Sequence, residues 1–304
     1  MTKKIVLVLA VIVVVALGGW IYWRKTCCSI PVSSGGSSSQ PNHPVGSTGS
    51  QGPGAVLPET PSISATNSNV GSKSAPGGES PEPGFAPRAG ETLEYAANIT
   101  TLSSTIANLK IVVAERRNFA GRSAWHLQAF ARTENPYRMV FELDDQFDSY
   151  SDAANLTGLQ YEMHLNERGQ KVDSVQRMLP SANDPAPPDA AAARVLPGTR
   201  DPLGMLQYLR GVDWSKTREV RSPVYDGRAL HEVRATLVGK SEQVKVPAGT
   251  FMTSKIEIRV FDNGSEAKDS HFLLYLTNDA ARKPVLMEAV LPVATARVEL
   301  TKAS

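Results

Sequence analysis

The sequence predicts a mainly β protein: one large antiparallel sheet or a barrel, with a single helix at about 201–210 against its inner face. Three observations predict it. From residue 90 onward, apolar residues recur at every second position in run after run, the mark of strands with one buried face. Turn-forming pairs separate the runs. One segment of the second half, "LPGTRDPLGMLQYLRG" at 196–211, has helical spacing.

The chain of 304 residues starts with a different element. Residues 5–23, IVLVLAVIVVVALGGWIYW, carry no charge. As a helix they would be about 28 Å long, close to the ~30 Å hydrocarbon core of a bilayer. Trp20, Tyr22 and Trp23 lie at one end, where amphipathic rings favour the interface. Lys3 and Lys4 precede the run and Arg24 and Lys25 follow it, so charge counting leaves orientation nearly tied. A cleaved signal peptide is the rival reading, with Ala16-Leu17-Gly18 as its site. The apolar run continues past that point, which favours an uncleaved transmembrane anchor. A lipoprotein signal fits poorly, because Arg24, Lys25 and Thr26 stand before Cys27. Cys27 and Cys28 are the only cysteines. They read as acylation sites, as intermolecular disulfide partners or, more simply, as incidental thiols.

Residues 29–88 are dominated by Ser, Gly, Pro, Asn and Thr. Such composition buries too little apolar surface to offset its ordering entropy. As a disordered linker it spans about 40–45 Å end to end. His43 lies here, as a solvated side chain. The expected domains are therefore a membrane anchor at 1–28, this linker, and a β-rich domain at 89–304.

In the β domain Leu93, Tyr95, Ala97 and Ile99 alternate with polar or small residues, as do Leu109, Ile111 and Val113, then Trp125, Leu127 and Ala129, then Leu159, Tyr161, Met163 and Leu165. The pattern returns at 220–225, 230–238, 252–261, 271–276, 285–291 and 294–300. "YDGR" at 225–228 and "FDNGSE" at 261–266 hold the Asp-Gly and Asn-Gly pairs of tight hairpins. "VPAGTF" at 246–251 places Pro and Gly between two strand runs. The Pro- and Ala-rich interval 180–195 reads as a surface loop.

The helix begins with Asp201 as N-cap and Pro202 at its first position. Leu203, Leu206, Tyr208 and Leu209 fall mainly along one side, and Gly211 ends it. About ten residues are marginal as an isolated helix, so it must dock on the sheet. One reading has Arg200, Asp201 and Tyr208 line a functional site. The other makes the helix a capped amphipathic cover, since each residue has a local structural job. Leu203, Leu206 and Leu209 are the candidate lining of a pocket between helix and sheet.

Little else points to chemistry. The net charge of +2 gives no concentrated basic face for nucleic acid. The five histidines, His43, His126, His164, His231 and His271, show no metal-ligand spacing. "DDQFDSYSD" gathers Asp144, Asp145, Asp148 and Asp152. It reads as the polar side of a strand, and as a hard-cation site it lacks the spacing of a calcium loop. His126, His164 and His271 are expected to face outward from strands. There is no GxSxG elbow, P-loop or GxGxxG. Asn98, Asn155 and Asn263 begin glycosylation acceptor triplets, relevant only in a eukaryotic secretory host. No catalytic, metal or cofactor residue is assigned.

"GETLEY" at 90–95, "DDQFDSY" at 144–150, "LPGTRDPLGMLQYLR" at 196–210, "VYDGRALHEVRATLVGKSEQVKVPAGTF" at 224–251 and "LTNDAARKPVLMEAVLPVATARVEL" at 276–300 occur in order. As an ordered set they resemble the bacterial domain-of-unknown-function 3108 family over about 90–302. The resemblance implies a Gram-negative envelope protein with no established catalytic residues. It also implies a fold similar to the lipoprotein carriers: a curved antiparallel sheet, an unclosed barrel, with helical cover over an apolar concave face. The long linker and uncleaved anchor depart from the common family pattern.

The expected function is that of a non-enzymatic envelope protein. It is a single-pass protein of the bacterial inner membrane with its C-terminal domain in the periplasm, binding a lipid or other apolar ligand in the concave face. The alternative is a structural or protein-interaction module of the envelope, with a hydrolase third.

Overall fold

The computed structural model describes residues 87–304 except 101–103, 182, 186, 189 and 291–294, with 268–270 described in backbone only. The expected anchor at 5–23, Cys27, Cys28, His43 and nearly all of the linker lie outside the described residues. Thirteen strands are described: β1 (Thr92–Ile99), β2 (Ala107–Phe119), β3 (Arg122–Thr133), β4 (Asp144–Asp152), β5 (Gly158–Glu167), β6 (Gln170–Leu179), β7 (Ala191–Arg194), β8 (Glu219–Tyr225), β9 (Leu230–Val246), β10 (Gly249–Asp262), β11 (Ser265–Thr277), β12 (Pro284–Val290) and β13 (Thr295–Ala303). One helix, α1 (Pro202–Gly211), separates β7 from β8.

All thirteen strands form a single sheet in the order β7-β6-β5-β4-β3-β2-β1-β13-β12-β11-β10-β9-β8. Every pairing is antiparallel except β6 with β7. Two successive antiparallel meanders are thus joined where β1 pairs with β13. Tight turns make this economical. Asn263 and Gly264 both have positive φ between β10 and β11, as a type I′ hairpin requires. Two unexpected hairpins use Ala120-Gly121 and Arg168-Gly169 in the same conformation.

The two edge strands, β7 and β8, do not pair, so the barrel stays unclosed. Residues 199–201 bridge the gap instead. The amide of Gly158, at the start of β5, donates to Thr199 O at 2.9 Å. On the other side Arg200 N donates to Pro223 O (3.0 Å) and Tyr225 N to Arg200 O (2.8 Å). Gln176 of β6 adds a bond to Gly227 O at 2.7 Å and accepts one from the Tyr225 hydroxyl.

The expected alternation holds: Leu93, Tyr95, Ala97 and Ile99 on β1 and Trp125, Leu127 and Ala129 on β3 all join one hydrophobic core cluster. Two expectations need correction. The 180–195 interval is not wholly a loop, because 191–194 forms β7 beside β6. The helix is also more than a one-sided cover: nine of its ten residues are buried, Gln207 and Arg210 among them.

Three sets of contacts hold α1 at one end of the sheet. At its start, Asp201 Oδ1 accepts the amides of Leu203 (3.0 Å) and Gly204 (2.9 Å). Its Oδ2 accepts the Ser149 hydroxyl of β4 at 2.7 Å, so one carboxylate both caps the helix and ties it to the sheet. At Gly204 a Cβ would stand 2.7 Å from Ser151 Oγ and 3.1 Å from Leu156 O; only glycine permits this approach. At its end, Arg210 is wholly buried. Its guanidinium forms a fork with the Glu91 carboxylate (2.6 and 2.8 Å) and donates to Ala281 O at 3.0 Å. Arg282 answers from the β11–β12 connection, donating to the carbonyls of Arg210, Gly211 and Val212 at 2.8–3.2 Å. That places a cation at the negative end of the helix dipole.

Removing one partner of a buried ion pair strands the other charge, at a cost of about 3–5 kcal/mol. Arg210→Met is therefore expected to lower unfolding free energy by about that much in urea titration. Arg210→Met with Glu91→Leu should recover most of the loss, because an apolar replacement of both groups is often near neutral.

Candidate functional site

The residues proposed from sequence occupy two kinds of place. Leu203 and Leu209 are fully buried in the core cluster with the inward side chains of the sheet, while Leu206 is half-buried against it. Arg200, Asp201 and Tyr208 are buried too. The Arg200 guanidinium lies 3.7 Å over the Tyr208 ring and donates to Ser222 Oγ (2.9 Å) and Asn155 O (3.0 Å). Burial pulls its pKa down to about 10. These three hold the helix and the sheet gap together.

An open site adjoins the other end of the helix. After α1 the chain turns through 212–218, where the Trp214 indole N–H donates to Leu209 O at 3.0 Å. Two clefts of about 350 and 270 Å³ adjoin here, sharing Trp214, Ser215 and Lys240. Ser254, Asn278 and Arg282 line the first; Lys216, Arg218, Leu237 and Val238 line the second. Lys216 pairs with Asp213 at 3.1 Å. Hydrogen bonds from Ser215, then from Lys216, hold the Asp213 carboxyl down at about 2. Arg282 is engaged with the helix carbonyls. Among the described residues Arg218 and Lys240 pair with no carboxylate, so two cations stand free beside Trp214, Leu237 and Val238. Sequence reading missed this site. Its residues come from 213–218, 237–241 and 276–282, three segments that only the topology brings together.

The acidic run is split by strand geometry. Asp145 points inward, where burial raises its carboxyl to about 7, while its Oδ1 accepts the Asn166 amide at 2.9 Å. Asp144, Asp148 and Asp152 fall on the outer face. Asp148 is buried there under other polar side chains. Its Oδ1 lies 2.7 Å from His126 Nε2 and accepts Gln128 at 2.8 Å; its Oδ2 accepts Gln146 at 2.7 Å. Burial alone would raise its pKa, but these three bonds, His126 foremost, hold it below the usual carboxylate range. His164 also faces outward, its pKa raised chiefly by the bond to Asp173, and His271 lies beside Glu257.

His231 behaves differently. It is buried between Asp226, 3.0 Å from its Nε2, and Asp262 at its Nδ1. The bond to Asp226, then that to Asp262, raises its pKa despite burial. No sequence signal marked it, since Asp262 is far along the chain. An imidazolium held by two carboxylates stabilises the fold fully below the unfolded pKa of about 6.5, and this stabilisation disappears as pH rises through the raised folded value. The gap in urea midpoint between the wild type and His231→Gln is therefore expected to be widest near pH 5.5–6.5 and to shrink at alkaline pH.

The family described as "Protein of unknown function (DUF3108)" matches residues 94–301. No curated protein matches. Among solved structures, the chain is similar to a β-barrel-like protein of domain of unknown function DUF1849 from Brucella abortus, with 13% identity, a TM-score of 0.45, and coverage of 71% of this chain and 97% of that one. It is similar to a candidate lipoprotein from Parabacteroides distasonis, with 13% identity, a TM-score of 0.35, and coverage of 73% and 99%. A candidate exported protein of YmcC-like fold from Bacteroides fragilis has 11% identity, a TM-score of 0.33, and coverage of 73% and 99%.

Proposed function

This chain belongs to the DUF3108 family of proteins of unknown function, and from its own residues we propose a non-enzymatic binding module of the bacterial cell envelope. Residues 5–23 hold it at the inner membrane, with the β domain in the periplasm. Its ligand carries an anionic group beside an apolar portion, as a lipid with a charged headgroup does. The observation that carries this reading is the cleft in which Arg218 and Lys240, without carboxylate partners among the described residues, stand beside Trp214, Leu237 and Val238. Cations beside partly desolvated apolar surface favour an anion with a hydrophobic neighbour. The place first expected for the lipid, beneath Leu203, Leu206 and Leu209, is less favoured, because Leu203 and Leu209 are already buried against the sheet's own side chains.

Short-chain phosphatidylglycerol, titrated calorimetrically into the detergent-purified chain, is expected to bind. Arg218→Glu with Lys240→Glu should weaken it about tenfold or more, in line with the loss of charged hydrogen bonds. Equal binding by a zwitterionic choline analogue, or an unaffected double variant, would overturn the reading.

The alternative of a protein-interaction module has one observation of its own. Met139 and Val140 stand exposed at the tip of the β3–β4 connection, 86% and 69% accessible. Arg138 beside them pairs with Glu142 at 2.6 Å and with Asp144. A photo-crosslinker at position 139 should capture one discrete envelope partner if this tip docks, and none if it does not.

A further inference from the structure

The outer face of β4–β6 carries a second constellation that the cleft does not use. Antiparallel register places Asp148 directly across from Glu162, Gln146 across from His164, and His164 across from Asp173. One donor atom each from Asp148, Glu162 and His164 lies within 4.8 Å of the other two. A separate hydrogen bond turns each group inward to this point. His164 Nδ1 lies 2.8 Å from Asp173 Oδ1. An imidazole donating from Nδ1 presents Nε2 as a lone pair, the carboxylate–histidine arrangement that orients metal-ligating histidines. That Nε2 faces Glu162 Oε2 at 3.4 Å. The other Glu162 oxygen accepts from Gln160 at 2.6 Å. Asp148 receives its bonds from His126 and Gln128 at Oδ1, and only one, from Gln146, at Oδ2. Its Oδ2 therefore keeps a lone pair. His126 is itself stacked on Tyr150 at 4.7 Å.

We propose that Asp148, Glu162 and His164 bind a divalent transition cation of the zinc class, with Asp173 orienting the imidazole and His126, Gln128 and Gln146 holding Asp148. One imidazole nitrogen with two carboxylates suits a cation of borderline softness. Calcium, which takes six to eight oxygens, is poorly matched. Tetrahedral coordination at 2.0–2.2 Å sets donors about 3.4 Å apart, so the three groups must close in slightly. Glu162 and His164 are partly exposed, at 17% and 36%, and can rotate, while Asp148 is clamped. A water would supply the fourth ligand. Where bound, the ion would join β4 to β5 directly and to β6 through Asp173.

The test uses the full chain carrying Cys27→Ser and Cys28→Ser, since thiolates bind zinc themselves, and no histidine tag. After chelator washing, zinc chloride is titrated calorimetrically. One zinc per chain is expected, with a rise in melting temperature. Glu162→Gln and His164→Ala should each weaken binding about tenfold or more, and Asp173→Asn by about 10–100-fold through the lost outer contact. Unchanged circular dichroism and urea midpoints without zinc show that the variants fold. X-ray absorption should report only nitrogen and oxygen ligands. No zinc binding by the parent, or equal binding by parent, Glu162→Gln and His164→Ala, would overturn the proposal; an unaffected Asp173→Asn would remove the orienting role.

Discussion

The buried pair of Arg210 and Glu91 is the constraint on which the rest depends. A single wide sheet with one apolar face must have that face covered, and here a ten-residue helix covers one end of it. So short a helix is marginal alone. Burying Leu203, Met205, Tyr208 and Leu209 contributes roughly 1.5–3 kcal/mol each, but apolar burial does not fix which way a helix lies. The guanidinium fork does. It joins α1 to the residue just before β1 and to the β11–β12 connection, two places on different meanders of the sheet. A buried pair adds little net stability over an apolar replacement. Its effect here is positional.

That position carries through to the cleft. Arg282 is held against the helix carbonyls, and Trp214 is tied to Leu209 O. The walls of the cleft are therefore built on the helix terminus rather than on a free loop. The gap between β7 and β8 is managed similarly. Unpaired strand edges invite pairing with other chains. Residues 199–201 lie along β8 and take up its backbone groups at Pro223 and Tyr225. Buried Arg200, bonded to Ser222 and Asn155, locks this segment in place.

How much of this was legible depended on how local each cause was. Alternating strands were readable because burial of one face is written every second residue. The Asn263-Gly264 turn was readable because it uses the residues that best tolerate positive φ. Ala120-Gly121 and Arg168-Gly169 adopt the same conformation with a first residue that gives no hint. Strand β6 was missed because its central residues are partly exposed on both faces, which erases the alternation, and β7 because Pro and Ala surround it. Helix α1 and its cap were legible, but the burial of Gln207 and Arg210 was not. Their burial depends on Glu91, more than a hundred residues away. The cleft and the Asp148, Glu162 and His164 cluster were illegible for the same reason: sheet register, not sequence spacing, assembles them.

These placements share a physical logic. The described strands bury their inward side chains in one continuous core, and packing at interior density resists the entry of a ligand. Opening the helix end would break the Asp201 cap, the Arg210 fork and the apolar burial together. A binding function compatible with that core belongs where polar groups already meet solvent: at the end of the sheet beside Trp214, and on its outer face. The two places differ in charge. Arg218 and Lys240 make the cleft receptive to anions. Asp148, Glu162 and Asp173 gather around His164 on the outer face, a set that favours a cation. Within a chain whose net charge is only +2, these two places thus carry charge of opposite sign.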